Sequence, residues 1–91
     1  MEIRDKVCVV TGGASGIGAG MAQRFAQEGA AGVVVADVNL ERAQGVAGSI
    51  GVRALAHACD VTRVADIQPL VRRTRERFGR VDVYFSNAGI L

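Results

Sequence analysis

Apolar residues in this chain fall into two alternating patterns. Val7-Cys8-Val9-Val10 and Val33-Val34-Val35-Ala36 are unbroken apolar runs. Between them, Ile17, Met21 and Phe25 recur at helical spacing, and Gly29 stands where such a helix would stop. Leu40, Ala43, Ala47 and Ile50 mark one face of a second helix, and Arg53 to Cys59 reads as a third strand. Val64, Ile67, Val71 and Phe78 trace a third helix ended by Gly79, and Val81-Asp82-Val83-Tyr84-Phe85 reads as a fourth strand. Apolar strands without alternation are buried on both faces, which calls for a parallel sheet covered by helices. The expected architecture is therefore α/β, a doubly wound parallel sheet of strand order 3-2-1-4. Its crossovers should be right-handed, and its ligand should sit at the switch point between strands 1 and 4.

Some local choices work against these elements. Gly45 and Gly48 lie inside the second helix and cost about 1 kcal/mol each relative to alanine. Pro69 lies inside the third, lacks an N–H to bond Ala65, and should kink that helix or delay its start. After the fourth strand, Phe85-Ser86-Asn87-Ala88-Gly89-Ile90-Leu91 carries no helical pattern. The expectation is that residues 1–91 form the N-terminal part of a single domain whose remainder is absent.

Composition narrows the function. A chain of 91 residues is one domain at most, of marginal stability. A net charge of +2 argues for neither nucleic-acid nor membrane binding. Arg72, Arg73, Arg75, Arg77 and Arg80 read as a solvated helix face, since Glu76 interrupts them and Phe78 belongs to the core. No apolar run approaches the roughly 20 residues of a membrane span, and Met1 to Lys6 lacks the apolar centre of a secretory signal. Cys8 and Cys59 have no metal-ligand spacing, and strand 2 would separate their strands, which speaks against a disulfide. A cytoplasmic protein is the expectation. His57, alone among alanines, reads as structural.

Chemistry enters with Thr11-Gly12-Gly13-Ala14-Ser15-Gly16-Ile17-Gly18, directly behind the first apolar run. A strand, a glycine-rich turn and a helix in that order bring backbone amides and a helix N-terminus onto one point, which suits a pyrophosphate. Gly12 opens the tight turn, Gly16 lets the chain approach the anion closely, and Gly18 lets the helix pack hard on the strands. The Ser15 hydroxyl is placed to donate to a phosphate oxygen, with Ile17 in the first helical turn beside it.

The spacing Gly-x-x-x-Gly-x-Gly is one residue longer than the common Rossmann fingerprint. Preceded by Thr11, it resembles the first turn of the short-chain dehydrogenase/reductase family, and the likeness extends over essentially the whole chain. Asp37 ends the second apolar run, 19 residues after Gly18, where an acid can accept both ribose hydroxyls of the adenosine. An acid there also repels a 2′-phosphate. Ser15 and Val38 fill the positions at which a cation would serve one, so NAD is favoured over NADP. On residue chemistry alone Asp37 could instead begin the second helix, although Asn39 fills that capping role by itself.

The resemblance implies that Asp60 hydrogen-bonds the adenine amino group, with Val61 adding backbone and apolar contact. Capping of the third helix by Asp60 or Thr62 is the competing reading. It also implies that Asn87-Ala88-Gly89 braces the sheet and lines the adenosine side of the cleft. Asn87 keeps the more important position and Gly89 admits close backbone approach. The family's usual Asn-Asn-Ala-Gly is here Ser86-Asn87-Ala88-Gly89, and serine offers fewer hydrogen-bonding groups than asparagine.

In that family a tyrosine, a lysine four residues later and a serine carry the chemistry. The one tyrosine here is Tyr84 and the one lysine is Lys6, and Tyr84 is followed by Ala88 rather than lysine. The expectation is the cofactor-binding half of an NAD-dependent oxidoreductase that interconverts alcohol and ketone, inactive as 91 residues. Its parent would take a small-molecule alcohol or ketone and form a homo-oligomer, dimer or tetramer, as family members commonly do. The alternative is a non-catalytic nucleotide-binding or interaction module.

Overall fold

The computed structural model describes residues 2–87. The elements run β1 (Val7–Thr11), α1 (Gly16–Gln27), β2 (Gly32–Asp37), α2 (Leu40–Ile50), β3 (Ala54–Ala58), α3 (Val64–Phe78) and β4 (Val83–Ser86). The four strands form one parallel sheet of order β3-β2-β1-β4. This is the doubly wound α/β arrangement that the apolar pattern predicts.

Burial on both faces holds only in the middle of the sheet. Every residue of β1 and the first five of β2 are buried, whereas β3 is partly covered and β4 alternates between half-buried and exposed. The difference is positional, because β3 and β4 are the edges. One core layer joins Cys8, Val10, Val33 and Val35 to Ala22 and Phe25 of α1 and to Ala43 and Ala47 of α2. The other joins Val9, Val34 and Ala36 to Leu70 of α3. Cys8 and Cys59 lie in different layers, both as free thiols.

Helix ends follow the glycines. The Gly29 amide reaches the Ala26 carbonyl at 3.1 Å and the Ala30 amide reaches that of Phe25 at 3.1 Å. These two bonds are the Schellman pair, completed by the left-handed φ of 91° at Gly29. Gly79 closes α3 in the same conformation, its amide 2.7 Å from the Arg75 carbonyl.

Three expectations are corrected. Pro69 does not delay α3, which starts at Val64 and runs on past it. Its buried face is also rotated from the expected one, and of the four expected positions Phe78 keeps its place against the core. Leu70 and Thr74 are the buried positions, while Val64 is 72% exposed and Ile67 and Val71 lie on the outer side. The helix carries two apolar stripes, and the one containing Leu70 meets the sheet. Strand 4 begins at Val83 rather than Val81 because the Asp82 carboxylate accepts the Val7 amide at 2.9 Å, which ties the entry to β4 against β1 by a side chain.

The arginines, too, do more than coat a helix. Arg73 donates to the Ala56 carbonyl at 3.1 Å and Arg77 to that of Val52 at 3.0 Å, lacing α3 to β3 and its approach. Arg80 bonds the Asp5 carbonyl and, at 2.8 Å, the Asp82 carboxylate. His57 stacks no chemistry of its own. Its Nδ1 lies 3.3 Å from Arg73, and burial together with that guanidinium lowers its proton affinity. No helix among the described residues is long and apolar enough to cross a membrane.

Candidate nucleotide site

The glycine-rich turn lies at the C-terminal end of β1, at the centre of the sheet, beside the crevice where β2 and β4 are reached by opposite crossovers. Gly12 has φ 67°, a conformation that suits glycine. A Cβ on Gly18 would fall onto the Gly12 carbonyl, so the first turn of α1 must pass directly over the turn before it. A Cβ on Gly13 would lie 2.7 Å from a Val35 methyl, because the turn rests on β2. Sequence reasoning gave Gly13 no role, since its need for smallness arises from a neighbour 22 residues away. Gly16 differs from both, as a Cβ there meets nothing within 4 Å. Its openness faces outward and fits an approaching ligand.

The amides of the turn divide into two groups. Gly13 donates to the Ala36 carbonyl at 3.0 Å, Ala14 to Asp37 Oδ2 at 3.1 Å, and Ser15 to the Gly12 carbonyl at 3.3 Å. Gly16, Ile17 and Gly18, the first turn of α1, meet no acceptor among the described residues. Ser15 occupies the N-cap position without capping. Its hydroxyl instead donates to the Gly12 carbonyl at 2.9 Å and accepts from Asn87 Nδ2 at 2.8 Å. Uncapped amides at the positive end of a helix dipole form an anion site. Ile17 is 69% exposed beside them and so is not part of the core stripe that its spacing suggests.

Asp37 ends β2 and Asn39, not Asp37, caps α2, its Oδ1 accepting the Arg42 amide at 3.0 Å. The Asp37 carboxylate holds the Asn39 amide at 2.9 Å with one oxygen and the Ala14 amide with the other. Beyond β3, Asp60 Oδ1 accepts from the Thr62 hydroxyl at 2.6 Å and the Thr62 amide at 3.0 Å. These bonds hold the Asp60 carboxyl below the ordinary carboxylate value. Neither Asp60 nor Thr62 caps α3, whose N-cap is Arg63, so the capping alternative fails. Gly12, Asp37, Asp60 and Val61 line one cavity of about 210 Å³ together with Val38, Cys59 and Thr62. Val38 is 71% exposed at its rim, and the Cys59 thiol is pushed up by burial and stays protonated.

Asn87 reaches the same turn from the β4 side, bonding Ser15 and, at 3.4 Å, the Gly12 carbonyl. Gly89 lies outside the described residues. A larger opening, about 640 Å³, sits on the outer face of α3 between Ile67, Val71 and Arg75, away from the glycine turn. It holds none of the predicted site residues.

Fold and turn together define a dinucleotide-binding α/β protein: a central parallel sheet, an uncapped helix N-terminus behind β1 and an acid closing β2. The short chain dehydrogenase family matches residues 6–91, and the chain belongs to it. It is 44% identical over 90 residues to galactitol 2-dehydrogenase of Agrobacterium fabrum and 45% identical over 92 residues to short-chain dehydrogenase reductase 3c of Arabidopsis thaliana. These alignments cover 99% and 100% of this chain but 35% of each relative, so the chain spans about a third of their length. Among solved structures, the 3-ketoacyl-(acyl-carrier-protein) reductase of Brucella melitensis complexed with NADH superimposes with a TM-score of 0.86 at 44% identity. That match covers 90% of this chain and 34% of the reductase. A short chain dehydrogenase from Mycobacterium smegmatis reaches 0.90 at 35% identity, covering 98% of this chain and 39% of its own.

Proposed function

We propose that this chain forms the adenosine and pyrophosphate side of an NAD site in an oxidoreductase that interconverts an alcohol and a ketone. The observation that carries the reading is the shared placement of Asp37 and the uncapped amides of Gly16, Ile17 and Gly18 at the two ends of one glycine turn. Those amides suit the pyrophosphate. The Asp37 carboxylate, on the wall of the cavity with Asp60 and Val61, suits two ribose hydroxyls and opposes a 2′-phosphate. Gly16 leaves the space such a ligand needs. When bound, the nicotinamide would supply the hydride chemistry, and the residues here bind and orient it. Small-molecule substrates and homo-oligomeric assembly belong to this reading by kinship with full-length family members. A reducing compartment, the cytoplasm, suits two buried thiols in separate core layers.

Calorimetric titration of NAD and NADP tests the assignment. The expected result is a preference for NAD of at least about tenfold, one such step being roughly 1.4 kcal/mol, and its collapse in Asp37→Ala. Equal affinity for the two cofactors in the unaltered chain refutes the NAD assignment, and binding of neither refutes the nucleotide reading altogether.

A further inference from the structure

Asp37 is joined to the glycine turn by a bond that the ribose contact does not need. Its Oδ2 accepts the amide of Ala14, 23 residues earlier, at 3.1 Å, while Oδ1 accepts the nearby Asn39 amide at 2.9 Å. The next amide back, that of Gly13, donates to the carbonyl of Ala36, the residue before Asp37, at 3.0 Å. Two consecutive amides of the turn are thus stitched to the last two residues of β2. Ser15 and Gly12 are held from the other side by Asn87. What these bonds leave unpaired among the described residues is the first turn of α1, Gly16 to Gly18, and the direction of those amides follows from how the preceding residues are pinned.

From this geometry, and resting on the nucleotide reading above, we infer that Asp37 is also a positioning residue for the phosphate turn. Its carboxylate fixes Ala14, and through it the aim of the uncapped amides at Gly16 to Gly18. The charge strengthens the bond, because an ionised acceptor holds an amide more tightly than a neutral one. A further consequence concerns cofactor preference. A substitution of Asp37 that makes room for a 2′-phosphate also releases the turn, so it weakens pyrophosphate binding for both cofactors.

The test separates the two roles with a ligand that lacks one of them. NAD and an analogue with neither hydroxyl on the adenosine ribose are titrated into the unaltered chain, Asp37→Ala and Asp37→Asn. Amide hydrogen exchange at Ala14 is measured without ligand in all three. If Asp37 positions the turn, the analogue weakens about tenfold in Asp37→Ala although it has no hydroxyl to lose, as expected for loss of one charge-assisted bond. Ala14 exchange accelerates in the same variant. Asparagine retains one acceptor oxygen, so both effects are smaller there, and this isosteric variant carries the test if alanine unfolds the chain. Unchanged analogue affinity in the variants, with loss confined to NAD, overturns the inference and leaves Asp37 a ribose acceptor alone. Unchanged Ala14 exchange also overturns it. Failure of the unaltered chain to bind either ligand, with Ala14 protected by Asp37, instead sinks the NAD reading on which the binding role rests.

Discussion

Two turns close the cavity lined by Gly12, Asp37 and Asp60, one after β1 and one after β3, and they differ in how far along the chain their supports lie. The turn after β1 depends on distant residues: Ala14 on Asp37, and Ser15 and Gly12 on Asn87, at separations of 23, 72 and 75 residues. The turn after β3 is held mostly by local bonds, although the Cys59 amide at its start reaches the Asp37 carbonyl at 3.0 Å. Asp60 binds Thr62 two residues on, its own amide goes to Asp66 six residues on at 3.0 Å, and the Arg63 amide returns to the Asp60 carbonyl at 3.0 Å. The glycine turn can therefore take its shape only after β1, β2 and β4 are aligned. The turn after β3 has most of its bonds as soon as α3 begins. A binding surface assembled from the two couples a conformation set by the whole sheet to one set by a few residues.

The largest effect should come from crowding the non-local turn. Gly18→Ala places a methyl on the Gly12 carbonyl, a backbone group that cannot step aside. Overpacking of this kind costs about 1–3 kcal/mol or more, and urea unfolding should show a loss at the top of that range together with lost NAD binding. A variant as stable as the unaltered chain would mean that α1 does not pass so close over the turn.

Next in size, Asn87→Ala removes the clamp from β4. It should destabilise by about 1 kcal/mol, the worth of an ordinary hydrogen bond, and weaken NAD several-fold more than it weakens an adenosine lacking phosphates. Equal weakening of both ligands would show that the clamp does not act on the phosphate turn in particular. With Ser15 released to cap α1, helix stability should fall less than binding does.

The smallest effect should lie at the local turn and shows in its response to acid. Asp60 is held below its ordinary value of 3.8 chiefly by the Thr62 hydroxyl, and Asp82 below the same value chiefly by the Val7 amide. A carboxyl whose folded proton affinity is depressed contributes fully at neutral pH and loses that contribution as pH falls from 3.8 through its folded value. Stability should thus decline in that acid window. Asp60→Asn should flatten that decline slightly at a correspondingly small loss of neutral stability and weaken NAD by about two- to threefold, and an unchanged acid decline would show that the Thr62 bonds do not depend on the charge.

How much of this was legible follows the same division. Gly29 and Gly79 were readable as helix stops, since a left-handed residue after a helix is a local demand that glycine meets. Asn39 was readable as a cap for the same reason. Asp37 was readable by its spacing from the glycines, Asp60 and Val61 only through the resemblance to the family, and the three do share a cavity. The role of Gly13 was not readable, because it depends on Val35 across the sheet, nor was the rotation of α3, because two apolar stripes offer two docking faces. Ser15 looked like a phosphate donor, yet its proton is held by Gly12 and its lone pair by Asn87.

The sequence by itself determined the order of strands and helices, the place of the glycine turn and the acid that follows β2. Each of these is fixed by periodicity or by the backbone angles of a single residue. Only the tertiary structure decided which amides of the turn are tied down and which stay free. That choice depends on Asp37 and Asn87 arriving from β2 and β4 on either side of β1. Hydrogen bonds between residues far apart in the chain form only once the sheet has set their register, and no local pattern of residues encodes them.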